Sequence, residues 1–148
     1  MDTKEKLQSE LKDALRSGNG VRKTTIRMAL SSIKLAEVEK GSALDEPGLI
    51  GIIQKEIKIR QEAIQDGKKA DRQDLIDSNK AEITILESFL PKQLSEDELK
   101  EMTIAAISEV QAASPNDTGK VMKILLPRVQ GRAPNDQISR LVRQLLTQ

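Results

Sequence analysis

Every segment of this chain carries its aliphatic residues at the three- and four-residue spacing of a helix face. Leu7, Leu11, Ala14 and Leu15 make one stripe, opened by Asp2 with Glu5 as a capping box and stopped by Gly18. Asn19 caps a second helix that runs to about Lys40 and ends at Gly41. Within it Ile26, Leu30 and Ile33 face one way, while Met28 and Leu35 face nearly the opposite way. That pattern predicts a helix sandwiched between neighbours. Asp45-Glu46-Pro47 starts a third helix that runs to about Gln65, and Asp66-Gly67-Lys68-Lys69 reads as a turn. A fourth helix follows to Leu90, where Pro91 ends it. So short a connection makes these two an antiparallel αα-hairpin with arms about 30 Å long.

Pro91-Lys92-Gln93-Leu94 is the expected domain boundary. Ser95 with Glu98 opens a fifth helix as a capping box, continued by Leu99, Met102, Ala106, Ile107 and Val110. Ala113-Ser114-Pro115-Asn116 is a loop. Two short amphipathic helices follow, near Thr118–Gln130 and Pro134–Leu146, joined by Gly131-Arg132-Ala133. The expected fold is therefore all-α. An N-terminal four-helix domain over residues 1–91 contains the long αα-hairpin, and a small three-helix domain occupies residues 95–148.

Missing residue types restrict the chemistry. The chain has no His, Cys, Trp or Tyr, and Phe89 is the only aromatic residue. The usual general base, thiolate nucleophiles and soft metal ligands are gone, as are stacking platforms for single-stranded nucleic acid. No compact acidic triad marks a Mg²⁺ site. No catalytic residue, cofactor or metal is expected. No apolar run approaches the ~20 residues of a membrane span, and the first residues have no signal-peptide core. A cytoplasmic protein without membrane association is the expectation.

Charge is distributed unevenly. From Pro115 onward Lys120, Lys123, Arg128, Arg132, Arg140 and Arg143 stand against Asp117 and Asp136, a net +4, and the rest of the chain is net −3. A basic end on a slightly acidic body attracts phosphate or an acidic partner. On a helical wheel Lys120 and Lys123 fall opposite Val121 and Leu125, and Arg140 and Arg143 fall opposite Ile138 and Leu145. Arg128 lies on a flank and Arg132 in the turn, where Gly131 lets the backbone approach a phosphate. A second cluster lies in the hairpin. Glu56 and Arg60, spaced i,i+4, interrupt the stripe of Leu49, Ile52, Ile53, Ile57 and Ile64. Asn79 and Glu82 interrupt the facing stripe of Leu75, Ile83, Leu86 and Leu90. The four predict a polar network inside the hairpin that sets its register. The mixed-sign loop Asp66–Arg72 reads as a solvated tip.

These residues carry a likeness. Thr25-Ile26-Arg27-Met28 with Ser32-Ile33-Lys34, Glu56-Ile57-Lys58 with Arg60, Arg72-Gln73-Asp74-Leu75 and Phe89-Leu90-Pro91-Lys92-Gln93-Leu94-Ser95 resemble the YqeY-like family over essentially the whole chain. Gly119-Lys120-Val121-Met122 and Gly131-Arg132-Ala133 continue it. Phe89 replaces the family's frequent Tyr, and Asp71 stands where Gly is common. The family's C-terminal half is similar to the tail domain of the B subunit of the glutamine-dependent tRNA amidotransferase. The resemblance implies a helical two-domain fold and a tRNA-related role, with tRNA and amidotransferase or aminoacyl-tRNA-related proteins as partners. Carried onto this chain, it makes Lys120, Arg132 and the Gly131 backbone RNA contacts and leaves Val121, Met122 and Val142 in the core. It does not bring the amidotransferase's catalytic apparatus, since Ser31-Ser32 and Lys34 crowd one continuous helix and no Gly-rich phosphate loop exists. The leading reading is a non-catalytic tRNA-binding accessory protein. The alternatives are a component of glutamine-dependent carbon–nitrogen ligase activity and a protein-interaction module.

Overall fold

The computed structural model describes residues 1–147, and among them are seven α-helices, one short 3₁₀ helix and no strand. Helices α1 (Thr3–Ser17), α2 (Gly20–Lys40), α3 (Glu46–Lys69) and α4 (Gln73–Glu87) form one compact unit, Met1–Leu90. Helices α5 (Glu96–Val110), α6 (Thr118–Val129) and α7 (Asn135–Thr147), with the 3₁₀ helix Pro115–Asp117, form a second, Pro91–Gln148.

Side-chain caps set most of the helix starts. Asp2 accepts from Glu5 N–H at 2.8 Å, Asn19 from Arg22 N–H at 3.1 Å and Asp45 from Gly48 N–H at 3.0 Å. At α5 the exchange is reciprocal: Ser95 Oγ accepts from Glu98 N–H, and Glu98 Oε1 accepts from Ser95 N–H. The Ser95 hydroxyl first, then the Ser95 N–H, favour the Glu98 carboxylate and hold its pKa below the ordinary range. Gly18 and Gly41 close α1 and α2 in the left-handed conformation, at φ 73° and 81°.

In the first unit α3 lies along α4, α1 packs on α2, and α2 touches both arms of the hairpin. Leu7, Ile26, Ala29, Ile33, Leu49, Ile53, Ile57, Leu86 and Phe89 fill the space between them. Glu37 fixes the end of α2. Its carboxylate accepts from Lys4 Nζ at 2.8 Å and from Leu44 N–H at 2.9 Å, and these bonds, Lys4 first, lower its pKa. In the second unit Leu99, Ala106, Val121, Leu125, Val129, Ala133, Ile138, Val142 and Leu146 form the core. Leu94 N–H donates to Arg132 carbonyl at 2.8 Å, tying the entry of this unit to the α6–α7 turn. Gln130 and Gly131 are successive left-handed residues in that turn.

The hairpin departs from expectation at its tip. Asp66-Gly67-Lys68-Lys69 is not a turn; it is the last turn of α3, and the chain reverses at Ala70–Arg72. Gly67 is buried, and a Cβ there would lie 3.2 Å from Ile76 Cγ1. The glycine permits close packing of the arms and breaks no helix. The reversal falls on Asp71, at φ 53°, a left-handed position where Gly is favoured and Asp is tolerated. At its other end α4 stops at Glu87, short of Leu90, and three i→i+3 bonds carry the chain through Ser88, Phe89 and Leu90. Helix α2 has α1 and the hairpin as neighbours, but neither covers its Met28–Leu35 face: these residues are 47% and 61% exposed.

Two glycines give opposite outcomes on substitution by alanine. Gly51 is exposed within α3 with nothing near its absent Cβ, so Gly51→Ala raises stability by about 0.5–1 kcal/mol. Gly18 is left-handed, so Gly18→Ala lowers it by about 1 kcal/mol. Urea denaturation followed by circular dichroism reads both, and shifts of the same sign would contradict the assignment.

Candidate functional site

Two places concentrate polar chemistry, one in each unit. The first is a groove of about 680 Å³ between α2, α3 and α4. Its base is a buried ionic cluster. Arg60 and Glu56 are only 4% and 8% exposed. Arg60 Nη1 donates to Glu56 Oε2 at 2.8 Å and to the Glu56 carbonyl at 2.9 Å, and Nη2 lies 3.7 Å from Glu82 Oε1. Ser32 Oγ donates to the other Glu56 oxygen at 2.7 Å. Arg60 Nε is buried without a hydrogen-bond partner, and Nη2 is capped by the Met28 sulfur at 3.7 Å, a weak acceptor.

Of the four residues expected to form a network, the structure joins Glu56, Arg60 and Glu82. Asn79 lines the same groove, but its amide donates to the Leu75 carbonyl of its own helix at 2.7 Å. Sequence reasoning confined the cluster to the hairpin and missed α2, which contributes Thr24, Arg27, Met28, Ser31 and Ser32 to the groove. The signal was present as the second face of α2, which carries Met28 opposite Ile26 and Ile33.

The second place is the α6–α7 pair. Lys120, Lys123, Arg140 and Arg143 are exposed, on faces turned from the buried Val121, Leu125 and Val129 of α6 and Ile138, Val142 and Leu146 of α7. Lys123 and Arg143 form no ion pair among the described residues. Lys120 and Arg140 pair loosely with Asp117 and Asp136, at 3.7 and 3.9 Å, with both cationic side chains 72% exposed. Arg128 differs: both of its terminal nitrogens engage Glu109 of α5. That pairing lowers the Glu109 pKa and raises that of Arg128. Arg132 is half-buried, and its Nε donates to the Lys92 carbonyl at 3.2 Å. Gly131 carbonyl accepts from the Gln93 amide at 3.3 Å, so this turn is braced by residues 92 and 93.

The acid that offsets these bases lies closer than the sequence suggested. Met1–Leu90 holds sixteen bases and sixteen acids, so the first unit is not acidic. The net −3 belongs to residues 91–114, chiefly the start of α5 with Glu96, Asp97, Glu98 and Glu101. Among the described residues no cluster of acids could hold a metal ion, and no helix is long and apolar enough to cross a membrane.

Residues 4–146 match the model of the YqeY-like proteins, and the chain belongs to that family. It is similar to altered inheritance of mitochondria protein 41, a mitochondrial protein, of Lachancea thermotolerans, at 32% identity over 119 residues. The match covers 78% of this chain and 64% of that protein. The protein of the same name from Pyrenophora tritici-repentis is 26% identical over 144 residues, 95% of this chain and 79% of that one. An uncharacterized protein of Schizosaccharomyces pombe is 28% identical over 89 residues, 60% of this chain and 72% of that one. The mitochondrial names of the Lachancea and Pyrenophora proteins overturn the expectation of a cytoplasmic location.

Removing one member of the buried cluster strands the others. Arg60→Met leaves Glu56 buried without its cation and lowers stability by about 3–5 kcal/mol in urea denaturation. Glu56→Leu added to Arg60→Met restores most of that loss, because an apolar pair needs no compensation. An Arg60→Met variant as stable as the parent would show that the ion pair is solvated.

Proposed function

We propose that this chain is a non-catalytic accessory protein that binds tRNA through phosphate contacts from α6 and α7. The observation that carries the reading is the pair Lys123 and Arg143, exposed on adjoining helices and engaged by no carboxylate among the described residues. Acids are scarce around them: Thr118–Val129 contains none and Asn135–Thr147 only Asp136. Lys120 and Arg140 join them, since ion pairs at the outer limit of contact exchange readily for phosphate. Arg132 and the Gly131 backbone belong to the same reading as contacts from the turn. Arg128 contributes least, because binding phosphate would cost its two-point pairing with Glu109.

Such a surface recognises charge and the shape of a folded RNA backbone. With no aromatic side chain on α6 or α7, there is no platform for base stacking. The likeness to the tail domain of the amidotransferase B subunit supports tRNA as the RNA in question.

Fluorescence anisotropy with labelled tRNA tests the proposal. Binding weakens with salt, and removing one phosphate-binding cation lowers the log–log slope by about 0.7–0.9. Lys123→Glu with Arg143→Glu reduces affinity by about tenfold or more while the circular dichroism spectrum is unchanged. Arg128→Gln changes affinity little. Parental tRNA affinity in the double variant would reject the proposal.

A further inference from the structure

The open face of α2 has a pattern that the core does not use. Val21, Met28 and Leu35 recur every seven residues, and Thr24, Ser31 and Val38 follow each of them by three. All six are exposed, with the four large apolar side chains at 54%, 47%, 61% and 70% for Val21, Met28, Leu35 and Val38. No other described helix leaves so many large apolar residues uncovered. This spacing is the seam of a two-helix coiled coil, and it runs the length of α2 on the side turned from Ile26, Ala29 and Ile33. An ordinary solvent face scatters its apolar residues singly.

Three further observations say what would cover it. First, the middle of the seam forms a wall of the groove above Arg60, and Ile59 of α3, 49% exposed, stands on the groove's lining with it. The apolar seam is therefore continuous with a concavity lined mostly by polar residues and flanked by Met28 and Ile59, a surface that can accept one face of a helix. Second, Lys23, Arg27 and Lys34 fall together on one flank of the seam by helical angle, and none forms an ion pair among the described residues. Of the acids of α2, Glu39 lies off that flank, and Glu37, at its edge, is engaged by Lys4 and the Leu44 N–H. Third, the floor of the groove has an unmet polar demand. Arg60 Nε lacks a partner, and Nη2 has only a thioether above it and a long contact to Glu82.

We propose that this face receives an amphipathic helix of another protein, apolar at heptad spacing and acidic along the edge that meets Lys23, Arg27 and Lys34. Met28 is flexible enough to move aside, and an oxygen at the occupant's centre then replaces its sulfur on the Arg60 guanidinium. That single polar contact sets the register of the docked helix. A second copy of this chain fits poorly, since antiparallel pairing of α2 with itself sets the basic flanks against each other. RNA fits poorly too, because four exposed aliphatic side chains offer phosphate no hydrogen bond.

A photo-crosslinking side chain at Leu35, introduced into the full chain in cells of the organism that makes it, tests the proposal. The crosslinked segment is mapped, and a synthetic peptide of that segment is titrated against the purified chain. Support requires a segment of a different protein with helical apolar spacing and an acidic edge. It further requires that Met28→Asp lower the peptide's affinity by about tenfold or more. Arg27→Glu with Lys34→Glu must weaken binding and reduce its salt dependence, while Leu15→Asp on α1, exposed but outside the seam, changes nothing. The inference is overturned by a crosslink to RNA or to a second copy of this chain, or by a segment without an acidic edge. A crosslink yield no higher than that of the same probe at Leu15, or no crosslinked product at all, overturns it equally.

Discussion

The first unit is organised around one buried cation. Arg60 draws Glu56 from its own helix and Glu82 from α4, and Glu56 in turn holds Ser32 of α2. Three helices thus meet at a charge that has little access to water. Desolvating such a charge costs several kcal/mol, so the cluster adds little net stability over an apolar filling of the same shape. What it supplies is a penalty for misalignment. If α4 slid by a turn, Glu82 would leave Arg60 and a charge would remain buried with less compensation. Leu49, Ile53, Ile57 and Leu86 provide the driving force for packing, and the ionic contact selects one register from those that the aliphatic surfaces would permit.

The second unit is arranged differently. Among the described residues its core is apolar apart from the buried Thr103, whose hydroxyl donates to the Leu99 carbonyl one turn earlier. Its charges are segregated by helix, with acids at the start of α5 and bases on α6 and α7. Acids in the first turn of α5 complement the positive end of that helix, which gives them a structural reason to be there. Between helices, Glu109 of α5 pairs with Arg128 of α6. Asp117 and Asp136 pair only loosely with Lys120 and Arg140, and Lys123 and Arg143 have no ion pair among the described residues.

Helix starts were legible in the sequence because a cap is a local interaction between residues two or three apart. Asp2, Asn19, Asp45 and Ser95 all cap where the pattern placed them. The hairpin tip was misread for the opposite reason. Asp66-Gly67-Lys68-Lys69 has the composition of a turn, but the role of Gly67 is decided by Ile76 on the other arm, and no local rule reports that. Glu56 and Arg60 announced themselves as charges within an apolar stripe. The contribution of Ser32 did not, since a serine on a helix flank is commonplace until α3 is placed beside it. Met28 and Leu35 were legible as apolar and misassigned as buried, because periodicity gives the direction of a side chain and says nothing of what lies there. The same limit kept the balance of charge hidden: whole-chain counts put the acid in the body, and only the division into units shows that α5 carries it.

Segregation of charge within one small unit has an electrical consequence. With near-zero net charge, eight bases against seven acids, Pro91–Gln148 feels little overall pull toward a polyanion. Its acids gather at the opening of α5 and its bases on α6 and α7, so a polyanion would meet different faces of it unequally. On the proposed reading, encounters with a polyanion in which α6 and α7 lead would be favoured.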